Sequence, residues 1–415
     1  MESIVLNDID VKSNFVLFKF TISSRLQKYF NTDCMFIEYE EDVSSVPHSI
    51  LAISFVNTMA GFMWMSDCTI FVDEIDETYY QALKQIKNAY HELHRYAEMK
   101  GLFVPSKIVR NEVSSSNNSL LLFGVGVDCH SSFLRHKDSI QCILNIYGWL
   151  KTPDEKNVVD ESDKKHTAVY ASSMGIEALH ARSNFASLFN LNRIDKDFTQ
   201  PLVKSSYWYA FLHPLAFTSI ATPLAWIHGI SKIIIASSFT KDRTGVKCAS
   251  YITTDSEYRY ATNGITIHDA FELDRQDKVS LIVDYQKSSG KPYEIQACSF
   301  NDHNCCDCEK CFRTIVELVA ENADPRNFGF DIQGSLRDHW TRIIDRDIAL
   351  WGPHKESYYY NVAAKKMREN YDIINDKEFV DWFLSCDFFA LKKKALRSYY
   401  MKNFRSILKR KLHIK

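Results

Sequence analysis

Short apolar runs alternate with amphipathic segments along the first 113 residues of the chain. Three runs rich in β-branched and aromatic residues predict strands at Phe15–Ile22, Met35–Tyr39 and Cys68–Val72. From Glu77 to Met99, large apolar residues recur every three or four positions, as on one face of a helix. The pattern therefore predicts a small α/β domain over residues 1–113.

The longest apolar run, Ile50–Met65, follows Pro47 and predicts a helix. It contains Ser54 and Asn57 and is short for a bilayer span, so we expect a buried helix rather than a membrane anchor. The N-terminal residues are acidic and lack the apolar core of a secretory signal. We therefore expect a cytoplasmic protein without a transmembrane segment.

Residues 114–119, Ser-Ser-Ser-Asn-Asn-Ser, predict a linker. After them, apolar strand patterns alternate with helical ones, which is typical of an α/β fold whose parallel sheet is covered by helices on both faces. We expect this second domain to span 120–330, with a helical extension over 331–390 and a tail over 391–415. The predicted strands are 120–123, Gln141–Tyr147, Ile176–His180 and Lys232–Ala236, and the predicted helices are Asp160–Met174 and His213–Ile227.

The first strand of the second domain leads into a glycine turn and a predicted helix, within Leu120–Phe133. The first turn of a helix has unpaired N–H groups and partial positive charge, so it can bind a phosphate, and glycine lets the backbone approach such a ligand closely. A turn of this kind without a ligand is the alternative, since many α/β proteins contain one. The turn and the helix start comprise Gly124, Val125, Gly126, Val127, Asp128 and Cys129.

The overall composition does not indicate a partner, but the distribution of charge along the chain is informative. The 415 residues carry a net charge of −2, with 46% hydrophobic and 25% charged residues, as in an ordinary globular protein. Ten Lys or Arg and no Asp or Glu lie from Lys392 to the end, so the rest of the chain carries about −12. Phe404, Leu408 and Leu412 are spaced four apart within this tail. We therefore expect the tail to form a basic amphipathic helix. Its candidate partners are a membrane surface, a nucleic acid and the acidic remainder of its own protein.

Eleven cysteines without a signal peptide favour a reducing compartment, where clustered thiols bind metal more often than they form disulfides. Four of them have the spacing Cys298-x6-Cys305-x2-Cys308-x2-Cys311. Four thiolates suit tetrahedral zinc, and a site that uses all four is closed and therefore structural. An iron–sulfur cluster and unmetallated thiols are the alternatives. Cys306 and His303 are less suitable ligands.

Two cations, Arg275 and Lys278, follow the short predicted strand that ends at His268-Asp269. They lie three residues apart, on one face of a helix, and could hold phosphates or a carboxylate. The alternative is a solvated helix in which Asp274 and Asp277 are their partners.

The cysteine segment carries a family resemblance. Its pattern Cys-x6-Cys-x2-Cys-Glu-Lys-Cys-Phe-Arg-Thr resembles the Cys…Cys-Gly-x-Cys-Glu-Lys-Cys-x-Arg-Thr segment of one branch of the PP-loop ATP pyrophosphatases. That branch includes proteins of bacterial surface-polysaccharide clusters and, more distantly, the UDP-N-acetylmuramoyl-L-alanyl-L-glutamate epimerases. The 7-cyano-7-deazaguanine synthases carry a comparable zinc knuckle. The likeness spans about Pro47 to Phe328.

The glycine turn resembles the family's pyrophosphate loop, Ser-Gly-Gly-x-Asp-Ser. Gly126 and Asp128 match it, whereas Gly124, Val125 and Cys129 take the places of the first Ser, the first Gly and the last Ser. The His268-Asp269, Arg275 and Lys278 order resembles the family's His-Asp…Arg-x-x-Lys element.

The resemblance implies a Rossmann-like, HUP-type sheet and an enzyme that cleaves ATP between the α- and β-phosphates to adenylate a carboxylate- or amide-bearing metabolite. Residues 124–129 would then hold the pyrophosphate with Mg²⁺, and Ser237 would line the nucleotide pocket. It also implies a structural zinc and, as partners, a nucleotide and a small-molecule substrate. A homodimer is the candidate oligomeric state. The catalytic set it implies is Asp128, His213, Arg275 and Lys278.

The departures from the loop motif support an alternative function, a non-catalytic nucleotide-binding or scaffold protein. Val125 brings a Cβ where the family has glycine, and Gly124 lacks the hydroxyl that would bond a phosphate. Cys129 at a helix N-terminus is either a nucleophile with a lowered pKa or a packed thiol.

Overall fold

The computed structural model describes residues 2–149, 158–298, 301–351 and 356–411, which fall into two compact units, Met1–Asp274 and Arg275–Lys415. Among these residues, the strands all belong to the first unit. They are β1 (Ser3–Lys12), β2 (Phe15–Ile22), β3 (Cys34–Tyr39), β4 (Thr69–Asp76), β5 (Leu102–Val109), β6 (Ser119–Leu122), β7 (Ile140–Tyr147), β8 (Glu177–Ser183), β9 (Lys232–Ala236), β10 (Arg259–Tyr260) and β11 (Gly264–Asp269).

The α-helices divide between the two units. Those of the first unit are α1 (His48–Ser66), α2 (Glu77–Leu93), α3 (Val127–His136), α4 (Val158–Met174), α5 (Leu191–Ile194), α6 (Gln200–Val203), α7 (His213–Ile227) and α8 (Ile252–Asp255). Those of the second unit are α9 (Arg275–Ser289), α10 (Glu309–Ala320), α11 (Leu336–Asp347), α12 (Asn361–Glu369), α13 (Lys377–Ser385) and α14 (Phe388–Lys411).

The strands form one mixed sheet in the order β10-β11-β9-β6-β7-β8-β3-β2-β1-β4-β5. From β11 to β8 each strand is parallel to its neighbour. Antiparallel pairing of β3 with β8, with Ile37 opposite Ser183, joins this parallel group to the strands from the N-terminal part of the chain. The predicted α/β class is thus confirmed, within a sheet larger than the sequence indicated.

The predicted linker, 114–119, connects β5 to β6, and its last residue, Ser119, already pairs within β6. Strands from both sides of this segment belong to the same sheet and the same compact unit. The compact units instead divide the chain after Asp274, which places the cysteine segment 298–311 in the second unit.

The parallel group has a switch in its strand order. Numbered along the chain from β6, its five strands, β6, β7, β8, β9 and β11, lie side by side in the order 3-2-1-4-5. In open α/β sheets, ligands bind beyond the carboxyl ends of the strands where the order reverses. Here that place lies between β6 and β9.

Helices cover both faces of the parallel strands. Leu120 packs in the same core as α1 and α7, whereas α3 and α4 contact the strands on the side to which Leu121 points. By length and composition, α1 and the segment Trp208–Ile227 are apolar enough to cross a bilayer, but 94% and 78% of their most apolar windows are buried inside the protein. α1 is therefore a core helix, as its sequence predicts.

The last helix, α14, extends to Lys411 and forms part of the basic tail. Phe389, Tyr400 and Met401 are exposed on it, together with Lys393 and Arg397. The predicted apolar face continues with Phe404 and Leu408, whose side chains lie outside the described set, and with Leu412, which lies outside the described residues.

Candidate functional site

The predicted glycine turn lies at the carboxyl end of β6, at the switch in strand order. The amide of Phe123 donates to the carbonyl of Leu144 in β7 at 2.8 Å, which continues the sheet up to the turn. Gly124 is exposed, and Gly126 caps α3, which begins at Val127. Asp128 is half-buried in the first turn of this helix. The structure therefore produces the strand, turn and helix start that the sequence predicts.

Val125 adopts a left-handed backbone conformation, with a φ of 51°. This region is unfavourable for a β-branched residue, so the surrounding structure must hold it. The Val125 side chain is buried, and its backbone hydrogen-bonds the imidazole of His130. Burial lowers the pKa of His130 to about 3, so the ring is neutral at physiological pH. The departure from glycine at this position is accommodated by packing beneath the turn.

The thiol of Cys129 lies under the same turn, and its sulfur donates to the carbonyl of Gly126 at 3.0 Å. Burial raises the pKa of Cys129 to about 12, although the amides of Gly124 and Gly126 act in the opposite direction. Because desolvation outweighs the helix N-terminus, the geometry favours the packed thiol of the two alternatives predicted for Cys129. Cys129 is a packed thiol, and the amides of the turn face it.

Ser237, the predicted nucleotide-lining residue, is buried at the carboxyl end of β9. Its amide donates to the carbonyl of Asp269 in β11 at 2.9 Å, and its hydroxyl bonds the carbonyl of Phe239. Ser237 thus follows the end of an interior strand, and its hydroxyl is engaged locally.

The carboxylate of Asp269 ties α3 to the end of β11. It accepts hydrogen bonds from Ser132 at 2.7 Å and Arg135 at 3.2 Å, and His136 lies 2.8 Å away. Burial alone would raise the pKa of Asp269, but the bonds from His136 and Ser132 outweigh it and leave the pKa below its ordinary value. This network holds the helix that begins at the glycine turn.

We expect Asp269→Asn to lower the free energy of unfolding at pH 7 by about 2 kcal/mol, because it weakens bonds to a buried carboxylate. A lowered folded-state pKa stabilises the protein above the unfolded value of about 4 and ceases to do so as the pH falls through the folded-state pKa. The difference between the two proteins, measured by urea unfolding, should therefore shrink between pH 5 and pH 3. Glu272→Gln is the control, since Glu272 pairs with the same Arg135 at 2.6 Å but is half-exposed. A difference that is constant with pH would contradict this role.

Arg275 and Lys278 lie in the second unit, on α9. Arg275 donates to Glu317 at 2.9 Å and to Thr314 at 3.1 Å, both on α10. Glu317 and Lys278 are buried. Sequence reasoning named Asp274 and Asp277 as the alternative partners and missed Glu317, which lies 42 residues further along the chain. The pair with Glu317 gives Arg275 a role in packing α9 against α10.

His213 is the first residue of α7 and is half-buried. Its Nδ1 lies 2.7 Å from the carbonyl of Trp208, and its Nε2 lies 3.7 Å from the sulfur of Cys248. Sequence reasoning missed Cys248, because the two residues are 35 positions apart and no local motif marks the cysteine.

Aromatic rings gather beyond the carboxyl ends of β7 and β8. Trp149 stacks on Trp208 with 4.5 Å between ring centroids, and Phe217 meets Trp208 edge-on at 6.0 Å. The ring of His213 lies 5.5 Å from that of Trp208. Trp149, Trp208 and Phe217 are half-buried, so these rings form a partly open apolar surface beside His213.

The four predicted cysteines come together in the second unit. Their sulfurs all lie within 4.8 Å of one another, with Cys298 and Cys305 3.5 Å apart and Cys308 and Cys311 3.6 Å apart. Tetrahedral zinc with bonds of about 2.3 Å needs sulfurs about 3.8 Å apart, which these distances match. Hydrogen bonds from Cys308 and Cys311 hold the pKa of Cys305 well below its ordinary value. The predicted group is confirmed as one that can hold a metal such as zinc.

The two other candidate ligands of this segment lie outside the group. The thiol of Cys306 points to the carbonyl of Asn304 at 3.5 Å, and exposed His303 pairs with Asp302 at 2.7 Å. Cys308 is the N-cap of α10, and Cys311 lies in its first turn, so the helix start positions two of the four sulfurs.

A second group of metal-ligand side chains consists of Glu41, Glu177 and His228, with one donor atom from each within 4.8 Å of the others. His228 Nε2 lies 2.8 Å from Glu41, and the other ring nitrogen lies 3.9 Å from Glu177. The two carboxylates therefore face different nitrogens of the ring.

Comparison of the chain with family models, curated proteins and solved structures finds no match. The resemblance to the PP-loop family stays a prediction from the sequence.

Proposed function

We propose that the protein is an ATP-dependent adenylating enzyme with a HUP-type sheet, which forms AMP and pyrophosphate as it activates a carboxylate- or amide-bearing metabolite. The observation that carries the proposal is the position of the glycine turn. It follows the first strand of the 3-2-1-4-5 group, at the switch in strand order, where α/β sheets bind nucleotides.

Three features of the first unit support this function. The exposed backbone at Gly124 and the N-terminus of α3 provide a place for phosphate oxygens. The ends of β9 and β11, at Ser237 and Asp269, border the other side of the switch point. His213 lies beside a partly open aromatic surface suited to the apolar part of a substrate. We expect Mg²⁺ to accompany the nucleotide.

In the second unit we assign zinc to Cys298, Cys305, Cys308 and Cys311. Zinc bound by four thiolates supplies folding energy and has no open position for a substrate. Its role would be to fix the segment that leads into α10, and thereby the helix whose Glu317 holds Arg275.

The proposal is tested by isotope exchange between labelled pyrophosphate and ATP, with zinc-loaded protein and pools of carboxylate metabolites. An adenylating enzyme incorporates label into ATP only when its substrate is present. Failure of every pool to support exchange, in protein that binds ATP, would favour the alternative function.

That alternative, a non-catalytic nucleotide-binding protein, is supported by the turn itself. Val125 holds a left-handed conformation, and the amides of Gly124 and Gly126 face the thiol of Cys129. A phosphate that uses these amides must compete with that thiol, so a weakened or repurposed loop agrees with the geometry.

A further inference from the structure

The imidazole of His213 has a defined tautomer. A backbone carbonyl only accepts hydrogen bonds, so the 2.7 Å contact with Trp208 requires a proton on Nδ1. Nε2 then carries a lone pair, and it faces the sulfur of Cys248 at 3.7 Å. A nucleophile within reach of a base that a third group orients is the arrangement of nucleophilic catalysis.

Other groups around the pair act on the charges that form as the proton moves from sulfur to the ring. The hydroxyl of Tyr209 and the amide of Ser250 donate toward the sulfur of Cys248 and stabilise negative charge on it. The carboxylate of Asp255 stabilises the ring of His213 when it is protonated, although, like burial, it also raises the pKa of the Cys248 thiol. Asp255 is itself held by Ser250 at 2.8 Å and by His268 at 2.8 Å.

The pair lies toward the carboxyl ends of the parallel strands, as the proposed nucleotide site does. Cys248 is in the segment that follows the carboxyl end of β9, and Asp255 contacts His268 near the carboxyl end of β11. The partly open aromatic surface adjoins His213, with Trp208 at 5.5 Å and Phe217 at 6.3 Å between ring centroids. An acyl group bound on that surface would lie beside His213.

We propose that Cys248 is a catalytic nucleophile that takes the acyl group from an adenylated carboxylate, with His213 as its base; this rests on the proposed function. The sulfur attacks the carbonyl carbon as the thiol proton moves to Nε2 of His213. The bond between that carbon and the phosphate oxygen breaks, AMP leaves with the bonding electrons, and a thioester forms on Cys248. No oxidant or reductant is needed.

The chain contains a matched comparison in Cys129. Cys248 is 4% exposed and Cys129 is 6% exposed, and burial raises the pKa of each thiol to about 12. The Cys129 thiol bonds a carbonyl at 3.0 Å, whereas Cys248 lies beside an imidazole. Burial alone would make the two thiols equally unreactive. A higher reaction rate at Cys248 than at Cys129 would therefore show the effect of the His213 base.

The test uses p-nitrophenyl acetate, an activated ester, with the full-length zinc-loaded protein and no ATP. Acetylation at each cysteine is followed by peptide mass spectrometry. We expect Cys248 to be acetylated at least tenfold faster than Cys129 at pH 7. Burial also lowers the pKa of His213, so its ring stays neutral and the rate at Cys248 should be nearly constant from pH 7 to pH 9. A thiol without a base should instead gain about tenfold in rate for each pH unit below its pKa.

His213→Gln should reduce acetylation of Cys248 to the rate at Cys129 and restore the steep pH dependence. Equal rates at the two cysteines in the wild-type protein would overturn the proposal, as would a tenfold rise per pH unit at Cys248. These wild-type measurements decide the matter even when the variant does not fold. Because the assay contains no ATP, its failure is distinct from a failure of pyrophosphate exchange.

Discussion

Cys311→Ala is expected to eliminate the bound metal, from about one zinc ion per chain to none, and to unfold the start of α10. Cys311 is buried, and its sulfur lies 3.6 Å from Cys308 and 4.0 Å from Cys305, so the substitution removes one of the four sulfurs of the group. Three thiolates without the fourth form a poor tetrahedral site, and the folding energy of a structural zinc is lost with it. We expect the melting temperature of the second unit to fall by about 10 °C or more.

Cys306→Ser is the matched control, because Cys306 lies beside the group and directs its thiol to the carbonyl of Asn304. It should retain zinc, measured by mass spectrometry of the metal, and most of its melting temperature. Full zinc content in Cys311→Ala, or equal loss in both variants, would show that the four-thiolate assignment is wrong.

Gly126→Ala is expected to weaken ATP binding at least tenfold without changing the fold. Gly126 has a φ of −92°, which any residue adopts, and a Cβ there would meet only the carbonyl of Gly124, at 3.8 Å. The added methyl group is therefore compatible with the free protein, but it would occupy the approach of a phosphate to the start of α3. Tenfold corresponds to about 1.4 kcal/mol of binding free energy.

Calorimetric titration with ATP measures this effect, and an unchanged melting temperature and zinc content control for folding. Gly124→Ala is a second probe of the same kind, since a Cβ at Gly124 would have no neighbour within 4 Å. Wild-type affinity in both variants would place the nucleotide elsewhere.

Local sequence patterns predicted the elements that are buried or strongly periodic. Phe15–Ile22 and Lys232–Ala236 were predicted with the bounds of β2 and β9, because runs of apolar and β-branched residues mark strands packed in the core. The glycine turn was predicted for the same reason, since it ends a buried strand and precedes a helix start.

Three strands were missed. β10 comprises only Arg259–Tyr260, and the exposure of the other two weakens their pattern. β1 carries Asp8 and Asp10 at exposed or half-buried positions of its surface. β5 is an edge strand that contains Pro105 and Lys107, residues that protect edges from pairing. The pairing of β3 with β8 could not be predicted either. It joins segments about 145 residues apart, and no local signal encodes it.

The candidate sites, like the strands, were predicted where the signal is local and missed where it depends on distant segments. The four cysteines were found because their ligands lie within 14 residues of one another and their spacing is diagnostic. The pairs Cys248–His213 and Arg275–Glu317 were not found, because each forms only when distant segments fold together. A lone cysteine and a helical glutamate carry no sequence signal of such contacts.

Titration of the zinc-loaded wild-type protein with ATP and Mg²⁺ in a calorimeter tests the central claim most directly, namely that the turn at residues 124–129 binds the phosphates of ATP. The account predicts one saturable site per chain, competed by pyrophosphate and weakened by Gly126→Ala. An absence of binding at millimolar ATP, in folded protein with its full zinc content, would contradict it.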